Sequence, residues 1–147
     1  MYLKLFSIFG FFAYISSFGT GPRKVDTLVI ITGGNGVLGK ALIEESVNRN
    51  YEVVCGYRNF SRCFNALKHL SIPISMYPCD MHNTDFSDFI ENLKIKYVRE
   101  SNEMSIVLIN NAAICTGDST LEALQESLYV NCVGPIRLSF QLADFVR

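Results

Sequence analysis

The stretch Val29-Ile30-Ile31-Thr32-Gly33-Gly34-Asn35-Gly36-Val37-Leu38-Gly39-Lys40-Ala41-Leu42-Ile43 restricts this chain more than any other part of it. An apolar run ends in a glycine-rich turn, and the turn opens into a helical pattern. Glycine permits the tight turn and a close approach of backbone to a bound group. The N–H groups of the helix's first turn then point at an anion. Strand, glycine turn and helix in this order build a phosphate cradle.

The pattern that follows repeats strand and helix in alternation. Residues 40–50 read as a helix, with Ala41, Leu42 and Val47 apolar. Residues 51–56 read as a strand rich in Val and Tyr, and residues 61–70 as a helix with Phe64, Leu67 and Leu70 at helical spacing. Residues 72–77 form a third strand, whose Pro73 suits an edge position. Thr84 is expected to cap a helix through residue 97, with Phe86, Phe89, Ile90, Leu93 and Tyr97 on its apolar side. Ser105-Ile106-Val107-Leu108-Ile109 is apolar without alternation, as in a strand covered on both faces. Thr120 caps a long helical stretch interrupted near Gly134-Pro135. This order predicts an α/β fold, a doubly wound parallel sheet with right-handed crossovers and strand order 3-2-1-4. The fourth strand then has a bare apolar edge on its far side.

With 147 residues, the chain is long enough for one domain with a core. Nearly half of it is apolar and the net charge is −1, which argues against disorder and gives nucleic-acid binding no electrostatic support. The five cysteines, at 55, 63, 79, 115 and 132, include no C-x-x-C pair. They read as small buried hydrophobes in a reducing compartment rather than a disulfide framework. His69 and His82 have no Cys, Asp or Glu at metal-ligand spacing beyond Asp80, so no metal site is expected.

Residues 1–22 stand apart from residues 23–147. Tyr2 to Phe18 is almost all apolar or small, with Lys4 its only charge. It reads as a signal peptide, an uncleaved membrane anchor or an apolar extension packed on the domain, and a signal-anchor is favoured. Asn59-Phe60-Ser61 is a glycosylation sequon. A glycan beside Arg58 would crowd a ligand there, so the domain is expected to face the cytosol from the endoplasmic reticulum membrane, with a cytoplasmic location as the alternative.

Four further features stand at the expected strand ends or beyond. Gly56-Tyr57-Arg58-Asn59 follows strand two where an NAD-binding unit usually carries an acid. Arg58 suits a 2′-phosphate through its planar fork, or is an ordinary solvated arginine. Asp80, in Cys79-Asp80-Met81, either accepts a hydrogen bond from an adenine amino group or caps a helix. Asn110-Asn111-Ala112-Ala113 can tie down loop backbone and leave room for a flat ring, or forms a simple turn. Asn131, a poor interior helix residue close before Gly134-Pro135, marks a kink or a local irregularity.

Together, Thr32-Gly33 through Gly39, Asp80, Asn110-Asn111-Ala112-Ala113 and Asn131 resemble the short-chain dehydrogenase/reductase family over residues 27–147. The run Val54-Cys55-Gly56-Tyr57-Arg58-Asn59, with Arg62-Cys63 and Ala66, is similar to membrane-associated retinol-dehydrogenase-type members. The resemblance implies a Rossmann domain and hydride transfer between a nicotinamide dinucleotide, NADP(H) over NAD(H), and an alcohol or carbonyl compound. It implies cofactor contacts from Gly33, Asn35, Gly36, Val37, Leu38, Arg58, Asp80, Met81, Asn111 and Ala112. It implies that Asn131 holds a water in a proton relay, and a homodimer that uses the last helix and the one after it. Glycines at 33, 36 and 39 match the family's extended branch, whereas Asn110-Asn111 and Asn131 favour the other. Ala113 stands where the family has glycine.

The family's catalytic Tyr, with Lys four residues on, is absent. The residues four beyond the seven tyrosines are Phe6, Phe18, Cys55, Ser61, Met81, Ser101 and Val133. The expectation is therefore the N-terminal half of such an enzyme, truncated and inactive alone. The alternatives are a non-catalytic nucleotide-binding or partner-binding module, and a product without a stable fold. The bare edge at Ile106-Val107-Leu108, undefended by charge or proline, favours the truncated half.

Overall fold

The computed structural model describes residues 2–8, 11–17, 26–70, 74–97 and 104–145. Its frame is four parallel strands: β3 (Asp26–Thr32), β4 (Glu52–Tyr57), β5 (Ser75–Pro78) and β6 (Met104–Ile109). They lie in the order β5-β4-β3-β6, which is the expected 3-2-1-4. The first half of strand three, with Ile72 and Pro73, lies outside the described residues, and the β5 that is seen is an edge strand.

Alternation along β3 divides the core in two. Leu28 and Ile30 point to one face, where they meet Phe89, Ile90 and Leu93 of α3 (Ser87–Tyr97) and Leu138 and Leu142 of α5 (Gly134–Phe145). Val29 and Ile31 point to the other, against Ile43 of α1 (Val37–Asn48) and Cys63 and Leu67 of α2 (Phe60–Leu67). Helices on both faces explain why these strands carry apolar side chains in both directions.

Two helix starts differ from the sequence reading. α1 begins at Val37 rather than Lys40, because the Gly36 carbonyl already accepts from Lys40 N at 3.0 Å. Thr84 does not cap α3. The Asp85 carboxylate does so, accepting from the backbone N–H and hydroxyl of Ser87 at 2.9 and 2.5 Å. The Thr84 carbonyl instead accepts from Gln141 of α5 at 3.4 Å. Thr120 is the N-cap of α4 (Leu121–Leu128), accepting from Ala123 N at 3.2 Å.

The expected interruption in the last helical stretch is a five-residue π-turn, Tyr129–Val133, which joins α4 to α5. Gly134 follows it for a packing reason. A Cβ there would lie 2.3 Å from the Met81 carbonyl oxygen. Only glycine lets the helix come this close to the loop after β5.

The edge of β6 is a correction. It is not bare: β2 (Phe11–Ser17) pairs with it antiparallel, from Ala13 opposite Ile109 to Ser16 opposite Ile106. β1 (Tyr2–Ile8) pairs antiparallel with β2. The ladder groups of β6 that the sequence leaves open are taken up by the chain's own N-terminal segment. The case for a truncated half therefore does not rest on an exposed edge. Strand pairing by residues 2–8 and 11–17 is in keeping with the extension among the three readings of this segment. Among the described residues, no helix is long and apolar enough to cross a membrane. The proposed boundary at residues 22 and 23 lies outside the described residues.

Candidate nucleotide site

The carboxyl ends of the four parallel strands open onto one cavity of about 360 Å³. Doubly wound sheets hold ligands there, because loops leave on both sides of the point where strand order reverses. Here that point lies between β3 and β6, the first and fourth parallel strands in sequence.

The glycine turn forms one wall. Gly33 sits at φ +66°, where an L side chain is strained, and a Cβ on it would lie 2.7 Å from Ala112 Cα. Gly39 is equally confined, its imaginary Cβ 2.5 Å from the Gly33 carbonyl. Gly36 differs: a Cβ there would meet only that carbonyl, at 3.7 Å. Gly33 and Gly39 close the turn on the protein side, and Gly36 leaves its outer side open to a ligand at the N-terminus of α1. That is the shape a pyrophosphate needs.

The turn is held from below by the loop after β6. The Thr32 hydroxyl is fully buried and accepts from the backbone N–H groups of Asn111 and Ala112, at 3.1 and 3.0 Å. Asn111 Nδ2 donates to the carbonyls of Thr32 and Gly33, at 3.1 and 2.9 Å. Four hydrogen bonds thus lock the end of β3 to the end of β6. The tie expected of the paired asparagines belongs to Asn111. Asn110 turns the other way, and its Nδ2 donates to Ser139 Oγ of α5 at 3.2 Å.

All ten residues assigned to cofactor contact by the resemblance line this cavity: Gly33, Asn35, Gly36, Val37, Leu38, Arg58, Asp80, Met81, Asn111 and Ala112. The wall also contains Asn59 and Arg62, which the sequence reading did not assign to the site. Asn59 is the N-cap of α2, and its Oδ1 accepts from Arg62 N at 2.9 Å. A cap three residues before an arginine, itself four residues after Arg58, was the available signal. Arg58 and Arg62 both line the cavity.

Asp80 also forms part of the wall. Its Oδ1 accepts from His82 N at 3.1 Å and lies 3.0 Å from His82 Nδ1, while His82 Nε2 is 3.4 Å from Glu126 of α4. His82 thus bridges the β5–α3 loop and α4, and no group of three metal ligands forms among the described residues. Cys79 beside it is buried, and burial with the nearby Asp80 charge pushes its thiol well above the usual range.

Asn131 is not part of the wall. Its side chain clamps Ile114, with Oδ1 accepting from Ile114 N at 2.9 Å and Nδ2 donating to Ile114 O at 2.8 Å. Ile114 and Val130 both line the cavity, so the clamp sets that wall. The π-turn places the amide there, widening the helix where it meets the loop.

Glycine cradle, helix N-terminus, two arginines and a carboxylate around one slot define a dinucleotide-binding Rossmann domain of the short-chain dehydrogenase/reductase type. The chain belongs to the NAD dependent epimerase/dehydratase family, whose sequence profile matches residues 29–141, from β3 into α5. Among solved structures, it is similar to a short chain dehydrogenase from Bacillus anthracis str. 'Ames Ancestor', with TM-score 0.67 and 26% identity over 81% of this chain and 51% of that one. A short-chain dehydrogenase from Streptomyces avermitilis matches with TM-score 0.66 and 18% identity, over 85% of this chain and 46% of that one. A 4-hydroxyisoleucine dehydrogenase complexed with NADH matches with TM-score 0.63 and 21% identity, over 81% and 49% of the two chains. The chain spans about half the length of each of these proteins. No curated protein sequence matches it.

Proposed function

We propose that residues 27–147 form the dinucleotide-binding half of an oxidoreductase that exchanges hydride between NADP(H) and an alcohol or carbonyl compound. One observation carries this reading: the glycine cradle and the Arg58–Arg62 pair lie on the walls of the same cavity. The cradle and the α1 N-terminus take the pyrophosphate. Arg58 and Arg62 take a 2′-phosphate, for which their forked donors are suited and which NAD(H) lacks. Asp80 accepts from the adenine amino group, with His82 holding its other bonds in place. Ala112 and Ala113, being small, leave room for the nicotinamide ring. The bound nicotinamide supplies the hydride chemistry. Asn131 fixes the loop beside it and is assigned the water of a proton relay.

The 147 residues contain no Tyr with Lys four positions on. The whole enzyme on this reading draws its proton donor from residues beyond these, and the chain alone binds dinucleotide without turning over substrate. A match to about half of each related structure supports this. The competing reading, a binding module without catalysis, predicts no in-frame continuation encoding Ser, Tyr and Lys.

The test is calorimetric titration of NADPH and NADH into the whole chain, beside Arg58→Ala and Arg62→Ala. NADPH is expected to bind more tightly than NADH. Each substitution should weaken NADPH by about tenfold, the worth of one charge-assisted hydrogen bond, and leave NADH unaltered. Equal affinity for the two dinucleotides would overturn the NADP(H) assignment.

Homodimerisation is part of the proposal. Leu121, Leu124 and Leu128 of α4 and Ile136 and Phe140 of α5 are all exposed, Phe140 by 71%. An apolar stripe of this kind is a contact surface, and sedimentation of the wild type against Phe140→Glu tests it. A cytosolic setting is proposed because Asn59, the sequon residue, lines the cavity, where a glycan would block entry.

A further inference from the structure

Two cysteines unused by the nucleotide site lie directly beneath it. Cys55 stands in the buried part of β4 and Cys63 lies on the inner side of α2. Both are fully buried, and their sulfurs are 3.4 Å apart. A Cβ placed on Gly34 of the glycine turn would lie 2.5 Å from Cys55 Sγ. The pair therefore packs against the cradle from inside. Between the two cysteines in sequence stand Arg58, Asn59 and Arg62, which all line the cavity.

We propose that Cys55 and Cys63 are a redox-modification site, joined by a peroxide into a disulfide that draws α2 onto β4 and displaces the lining residues Arg58 and Arg62. The geometry is half made. A disulfide needs its sulfurs at about 2 Å, so they must close from 3.4 Å by moving α2 against the strand. The strand is fixed by ladders on both sides, whereas α2 is a short surface helix whose Phe60 and Phe64 are half exposed. Local opening of such a helix admits a small oxidant.

The order of events follows from the contact between the sulfurs. Either sulfur can donate to the other, and a thiolate formed on Cys63, on the helix that opens, is stabilised by the neighbouring Cys55 S–H. Cys63 thiolate attacks hydrogen peroxide. The O–O bond breaks, hydroxide leaves, and sulfur is oxidised to the sulfenic acid. Cys55 sulfur then attacks Cys63 sulfur. The S–S bond forms, the S–O bond breaks, and the departing hydroxide takes the Cys55 proton. Two thiols and one peroxide yield one disulfide and two waters. A dithiol reductant reverses it by thiol–disulfide exchange.

The bridge stands independently of the nucleotide reading, and only its effect on affinity rests on that reading. The experiment uses the whole chain with the exposed Cys115 and Cys132 both changed to Ser, leaving Cys55, Cys63 and Cys79. After dilute hydrogen peroxide, alkylation in denaturant should find one thiol in place of three, and digestion should yield a peptide pair linked through Cys55 and Cys63. Amide hydrogen exchange across residues 57–67 should differ between bridged and reduced protein. NADPH affinity should fall by about tenfold on bridging, matching one misplaced charge-assisted bond, and recover with dithiothreitol. Cys63→Ser or Cys55→Ala, whichever retains the reduced protein's thermal midpoint, should remove every response. Three alkylatable thiols after peroxide, or a bridge to Cys79, would overturn the proposal. So would a Cys55–Cys63 bridge that left exchange across residues 57–67 unchanged. Absence of NADPH binding to the reduced chain would instead defeat the nucleotide reading alone.

Discussion

Thr32 shows how much of the site depends on one hydroxyl. It is completely buried and satisfies two backbone N–H groups of the loop after β6. Thr32→Val keeps the shape and leaves both donors unpaired inside the protein. The expected loss is about 2 kcal/mol, since a buried unsatisfied donor costs about 1–3 kcal/mol. Urea unfolding measures it, and Thr32→Ser should restore most of it. Gly33 depends on conformation instead. Gly33→Ala places a methyl group 2.7 Å from Ala112 Cα at φ +66°, so the turn must open. NADPH binding should then be lost with the thermal midpoint reduced. A Gly33→Ala chain that bound NADPH normally would show that the turn is not the cradle. The residue pattern was legible here because each position has one physical reason. The partnership between Thr32 and Asn111 was not, because 79 residues separate them.

The elements follow local rules wherever the local group decides. Thr120 caps α4 as its sequence position implies, and Thr120→Ala should cost about 1 kcal/mol in denaturant unfolding. α3 was misread because Thr84 and Asp85 are both capping types, and the choice lies with Ser87 and with Gln141 from a distant helix. The Asp85 carboxylate is held below the usual range by the Ser87 hydroxyl and N–H. A depressed acid contributes stability above its unfolded pKa and loses it as pH falls through the folded pKa. The wild type should therefore exceed Asp85→Ala in stability at neutral pH, and the gap should close in acid. The π-turn is an element-scale feature with a long-range cause. Gly134 allows the helix to approach Met81, and Asn131 reaches Ile114. Gly134→Ala should cost about 1–3 kcal/mol by overpacking, with no change at the cradle itself.

Across the whole molecule, the sheet is closed on one side by its own N-terminal hairpin. Removing residues 1–22 uncovers the apolar edge of β6. The shortened chain is expected to self-associate in light scattering, while the whole chain does not do so through that edge. The same feature makes the whole chain the right object for nucleotide titration. The alternation of strand and helix was enough to place the four parallel strands in order, since right-handed crossovers leave few choices. It could not place residues 2–17, because an apolar run of that length suits a bilayer, a core or a sheet edge equally well.

The sequence alone determined what depends on near neighbours: the glycine turn, the Thr120 cap, the parallel order and the residue types at the strand ends. The ten residues named from the family pattern line one cavity. Tertiary structure decided what depends on residues far apart in the chain. It selected Asp85 over Thr84, assigned the loop tie to Asn111, added Arg62 and Asn59 to the cavity wall, and set Cys63 against Cys55. It also covered β6 with β2. Each of these is a hydrogen bond, a close approach or a shared surface, and its partner is fixed only when the sheet and helices are packed.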